Sequence, residues 1–203
     1  MAKSRDREAT QSRLIEAVGT ILERDGVGAL GVNAIAKEAK ANKALIYRYF
    51  DGLRGLYRAY GEKADIWPSI EELLGGPPED LRDQNPAELA KRFFQNYYQA
   101  LTRRPRTIDL MAWECVGRNE LIIMLEELRE RRSEELGECL SRFGLFDITP
   151  EIGQFLMLLT GSIHYFLIRR RNIRIFGGVD IQSDEGWEQL LSRIEEMIEL
   201  RLL

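Results

Sequence analysis

The feature that most constrains this chain is a spacing of apolar residues at three and four positions that recurs nearly end to end. In "TQSRLIEAVGTILERDG" (10–26), Leu14, Ile15, Val18, Ile21 and Leu22 follow the helical period, and Gly26 supplies the positive φ that stops a helix. Further helices are predicted at 33–39, at 43–50 behind Asn42 as N-cap, and at 53–63. "GGPPEDLRDQNP" (75–86) reads as irregular or linker. Asn85 then caps, and Pro86 opens, a helix broken at Pro105. A shorter helix holds "TIDLMAWECV". Longer ones run from Asn119 to Gly144, from Thr149-Pro150 to the Arg169–Arg171 run, and from Ser183 or Asp184 to the end. "GGVDIQS" reads as a loop. No sustained alternation and no Asn-Gly or Asp-Gly hairpin signal occurs, so the expectation is an all-α protein of about nine helices.

Charge is distributed unevenly over the 203 residues. The whole chain carries −4, yet residues 1–60 hold 11 Lys and Arg against 7 Asp and Glu, a surplus of four positive charges. A basic front on an acidic body points to an anionic partner for the front alone. Cys115 and Cys139 lie far apart with no CxxC pattern, so neither a metal site nor a disulfide framework is expected. The chain has one histidine and lacks G-x-S-x-G, P-loop, H-E-x-x-H and strand-linked GxGxxG patterns, so no enzyme chemistry and no cofactor is expected. The N-terminus has no apolar signal region, and "FLMLLTGSIHYFLI" (155–168) is short of a membrane span, which makes a cytoplasmic protein with no membrane partner the expectation.

Three short helices in the first ~50 residues form a helix-turn-helix candidate. Its second and third helices are joined by "KAN" (40–42), and the small Ala36 and Ala39 let their backbones approach closely. Ile35, Ile46 and Phe50 are the apolar anchors against Leu14, Val18 and Leu22. On the third helix Ile46, Tyr49 and Phe50 fall on one side. Lys43 with Tyr47, and Ala44 with Arg48, fall on the other. The outward face therefore offers cations, a phenol and a methyl group. Lys43 and Tyr47 suit phosphate oxygens, Arg48 suits phosphate or a guanine edge, and Ala44 suits a thymine methyl. A lysine-rich helix face is more often merely solvated; what favours DNA here is its conjunction with short helices, small crossing residues and a capped third helix.

The segment "GVNAIAKEAKANKALIYRYFDGLRGLYRAY" (31–60) resembles the helix-turn-helix signature of the TetR family of transcriptional regulators. The resemblance rests on Ile35, Ala36, Ala39, Ile46, Tyr47, Tyr49, Phe50 and Leu56 at matching spacings. It implies a DNA-binding domain over 1–60 and a helical ligand-binding and dimerisation domain over 61–203. It also implies that a dimer reads a palindromic operator in double-stranded DNA and that a small-molecule effector releases it. Repression is the implied outcome. Asn42, Lys43, Ala44, Leu45, Tyr47, Arg48 and Arg54 are the candidate DNA contacts. The chain departs from the pattern at three places: Gly31 stands where a threonine often caps, Lys40 replaces a frequent turn glycine, and Leu53, beside Arg54, replaces a common phosphate-contacting lysine. An all-helical ligand-binding or adaptor dimer that has lost specific DNA binding is the alternative these departures motivate.

In the body, "PEIGQFLMLLTGSIHYFLIRRR" is apolar nearly all round, and the last helix carries a stripe of Trp187, Leu190, Leu191, Ile194, Ile198 and Leu202. Homodimerisation through these two helices is expected. Candidate effector contacts are Trp67, Phe94, Tyr97, Met111, Trp113, Glu114 and His164, with Tyr98 and Cys115 nearby in sequence. Each has a plainer role open to it: the aromatics as core, Glu114 as partner of Arg118 four residues on, and His164 as a hydrogen-bonded core residue.

Overall fold

The computed structural model describes residues 2–202, with side chains described from residue 6 onward, and among these the chain is helical apart from turns and one small ribbon. The α-helices are α1 (Ala2–Asp25), α2 (Val32–Glu38), α3 (Ala44–Phe50), α4 (Leu53–Lys63), α5 (Ile70–Leu74), α6 (Pro86–Thr102), α7 (Pro105–Glu114), α8 (Glu120–Arg142), α9 (Pro150–Arg169) and α10 (Asp184–Leu202). Polar side chains start several of them as the sequence predicts. The Asn85 carboxamide oxygen accepts from the Ala87 amide at 2.8 Å, Asn119 from Ile122 at 3.0 Å, and Ser183 Oγ from Gly186 at 3.0 Å.

Two elements exceed the sequence-based expectation. One is α5, which Ser69 caps by accepting from the Glu72 amide at 3.1 Å. The motif is Ser-x-x-Glu, a capping-box pattern before an apolar pair. Glu72 also accepts from Arg104 Nη1 and Nη2 at 2.9 and 2.7 Å; that contact holds its carboxyl below the ordinary range and ties α5 to the end of α6. The other corrects the loop reading of "GGVDIQS". Ile175–Phe176 (β1) pairs antiparallel with Val179–Asp180 (β2) across Gly177-Gly178, both at positive φ. Two glycines permit the tight hairpin turn that other residues resist. The all-α class stands, because this ribbon is four residues in size.

The chain divides into two compact units: residues 1–66 with 112–130, and residues 67–111 with 131–203. In the first unit Leu14, Val18, Ile21, Ile35, Ile46 and Leu56 are buried among α1–α4, and Leu121, Ile122, Met124 and Leu125 of α8 are buried with them. Gly61 makes room for α8, since a Cβ there would stand 2.6 Å from Leu128 Cδ1. The second unit is organised around one large apolar cluster. Phe94, Tyr97 and Leu101 of α6, Leu159, Ile163 and Leu167 of α9, and Trp187, Ile194 and Ile198 of α10 are all buried in it. Trp187 Nε1 donates to the Ile181 carbonyl at 2.8 Å, so the one polar atom of this large buried ring is satisfied.

Candidate nucleic-acid interface

α3 is short because its ends are fixed by its neighbours. Asn42 Oδ1 accepts from the Ala44 amide at 2.9 Å at the start, and Asp51 closes the end at φ 58 with its amide donating to the Tyr47 carbonyl. Only Ile46 of this helix is fully buried; Leu45, Tyr49 and Phe50 are half-buried. Asn42, Lys43, Ala44, Tyr47 and Arg48 are exposed, and Tyr47 leaves 59% of its surface open. A tyrosine that exposed has no packing role. Tyr49 is stacked instead, with the Arg7 and Arg48 guanidinium carbons 5.2 and 5.9 Å from its ring centre.

The turn before α3 keeps its shape without glycine. Lys40 takes φ 49, the left-handed region, and the Ala41 amide reaches back to the Ala36 carbonyl at 2.9 Å. Gly31, at φ 178, lies in extended backbone and gives α2 no side-chain cap. At the exit of α3 a glycine is required for closeness. A Cβ on Gly55 would stand 1.8 Å from the Phe50 carbonyl oxygen, so no other residue fits where α4 tucks under α3.

Arg54, the second residue of α4, is bound by the Glu127 carboxylate of α8, and Arg58 one turn later lies 3.8 Å from the other oxygen of that carboxylate. No local pattern marks this acid as their partner, because it is remote in the chain and sits on an otherwise mixed-charge helix.

The candidate effector residues separate into two groups. Phe94, Tyr97 and Met111 are buried in the apolar cluster of the second unit, and Trp67 packs against it. The Tyr97 hydroxyl and His164 Nε2 are hydrogen-bonded, and Phe93 stacks on the Tyr97 ring at 5.7 Å. Tyr98 stacks on Trp187 at 4.3 Å. Trp113 and Glu114 belong to the first unit. Trp113 is partly exposed and lies 3.8 Å from the position of a Cβ on Gly28. Glu114 takes Arg129 Nη1 at 2.7 Å on both oxygens, whereas Arg118, the alternative partner four residues on, pairs with Glu126 at 2.9 Å. Burial alone would lower the Arg129 pKa, but the Glu114 hydrogen bond and charge more than offset it, so the guanidinium is held charged. Cys115 is exposed.

On the two long helices α9 and α10, apolar surface remains uncovered. Met157 and Leu158 of α9 are 64% and 69% exposed, and Gly161 and Tyr165 continue the same face at i+3 and i+4 steps. At 20 residues α9 is long and apolar enough to span a bilayer, longer than the 155–168 run that reads as short of a span, but its Leu159, Ile163 and Leu167 row lies in the core. On α10, Met197 and Leu200 are exposed beside Ile198, which is buried.

Residues 14–65 match the family described as "Bacterial regulatory proteins, tetR family". The HTH-type transcriptional repressor SCO4008 of Streptomyces coelicolor is 38% identical over 69 residues, covering 34% of this chain and 31% of that protein. The match thus spans about a third of the relative's length. Over nearly the whole chain the fold is shared with HlyIIR, a hemolysin II transcriptional regulator (TM-score 0.54, 21% identity, 92% of this chain and 97% of that one). It is shared likewise with a TetR transcriptional regulator from Rhodococcus sp. RHA1 (TM-score 0.55, 17% identity, 98% of both). The segment that folds as α1–α4 is thus similar in sequence to the tetR family of bacterial regulatory proteins, and the chain as a whole shares the fold of these two regulators.

Proposed function

We propose that this protein is a transcriptional repressor that binds a palindromic operator as a homodimer and is released by a small-molecule effector. The observation that carries the reading is the exposed face of α3. Lys43, Ala44, Tyr47 and Arg48 are exposed on a helix whose opposite side is anchored by the buried Ile46. Cations and a phenol on a rigid support are the groups that position a helix against phosphates and base edges. The uncovered face of α9, with α10 beside it in the apolar cluster, supports dimerisation through these two helices. The aromatic neighbourhood of Tyr97 and His164, near Phe94, Met111 and Trp67, supports effector binding in the second unit. An effector that binds better to the dimer geometry unable to span both half-sites shifts the population away from DNA.

The test is a gel-shift titration against the intergenic DNA beside the gene, at several salt concentrations. Lys43→Ala with Tyr47→Phe is expected to weaken binding about tenfold or more and to reduce the salt slope by about 1. Binding unchanged in that variant, or no binding by the wild type at low salt, overturns the reading.

A further inference from the structure

The Arg54–Glu127–Arg58 cluster is built for an anion, and the anion it holds comes from the protein itself. Arg54 is in the first turn of α4, where the helix dipole disfavours a cation. It is separated from the last residue of α3 by Asp51, Gly52 and Leu53 alone. Arg58 follows one turn later on the same side, and both side chains are more than half exposed. Two guanidiniums one turn apart around one carboxylate form the donor set that grips a phosphate. The carboxylate is carried there on α8, whose Leu128 and Met124 side chains pack into the space that Gly61 of α4 leaves open. The acids on either side of it on α8 are engaged elsewhere, Glu126 with Arg118 at 2.9 Å and Glu130 with Arg129 at 3.3 Å.

We infer that Glu127 occupies the place of a DNA phosphate on Arg54 and Arg58, so that α8 governs how many cations the front of the molecule offers to DNA. With Glu127 in place one carboxylate faces both guanidiniums and offsets one of their two charges, and α3 supplies most of the charge left open to phosphate. With Glu127 withdrawn, two further phosphate ligands are released beside α3. The pairing also gives Arg54 a role that the missing lysine at Leu53 left open. This inference rests on the DNA-binding reading above.

The experiment measures binding to a mixed-sequence DNA duplex by fluorescence anisotropy across a salt series. Glu127→Gln keeps the shape of the side chain and removes its charge. It is expected to tighten binding at low salt and to steepen the slope of log K against log salt by about 1 to 2, since each phosphate neutralised contributes about 0.9. Arg54→Ala with Arg58→Ala is expected to cancel that gain in the Glu127→Gln background while changing the wild-type slope little. A slope unaltered by Glu127→Gln, or a gain that survives loss of both arginines, overturns the inference while DNA binding stands. Failure of both the wild type and Glu127→Gln to bind at low salt overturns the DNA-binding reading, and this inference with it.

Discussion

α3 and α9 both leave one side uncovered, but they uncover opposite chemistries. α3 buries Ile46 and shows Lys43, Tyr47 and Arg48 to solvent; α9 buries Leu159, Ile163 and Leu167 and shows Met157, Leu158 and Tyr165. A cationic face is comfortable in water and needs a partner only for function. An apolar face of this kind loses free energy in water, at about 25 cal/mol per Å², until something covers it. The difference separates the two kinds of partner proposed above: an anion that comes and goes at α3, and a protein surface that stays on α9.

The largest effect is expected from breaking the front alone. Gly55→Ala drives a methyl group into the Phe50 carbonyl, 1.8 Å from the ideal Cβ. The α3–α4 junction is expected to lose about 3 kcal/mol of stability, measured by denaturant unfolding. DNA binding should fall with it while the oligomeric state in sedimentation is retained. Loss of oligomer and DNA binding together would show that the two faces are not independent. The complementary break is Leu158→Glu on α9. It is expected to raise the dimer dissociation constant about 100-fold, because a charge would be buried without a partner in the proposed interface. Helix content by circular dichroism should not change, and an unshifted sedimentation profile would place the dimer face elsewhere. The smallest effect sharpens the front. Lys40 is held at φ 49, so Lys40→Gly is expected to raise stability by about 1 kcal/mol in thermal unfolding. A loss of stability would mean that the lysine side chain, and not the turn, matters there.

Much of this was legible in the residues because the dominant signals are local. Helical period placed nine of the ten α-helices among the described residues, and Asn42, Asn85 and Ser183 announced their caps. The inward and outward sides of α3 followed from spacing alone. What escaped was short or distant. α5 has five residues, too few for a period to emerge, although its Ser69-x-x-Glu72 box was present. The β1–β2 ribbon has two residues per strand, and its only mark was Gly177-Gly178. The pairings of Glu114 with Arg129 and of Arg54 with Glu127 join residues 15 and 73 positions apart, which neighbour rules along one helix cannot anticipate.

The tuck of Gly55 beneath the Phe50 carbonyl has a consequence for variation. Main-chain contact at that point, together with the buried Ile46, sets the direction in which α3 is aimed. Positions 43, 44, 47 and 48 therefore carry no share of that duty. Their letters can be rewritten with the scaffold left as it is, which, on the DNA-binding reading proposed above, makes this helix an interchangeable key on a fixed shaft, open to new operator sequences by point mutation.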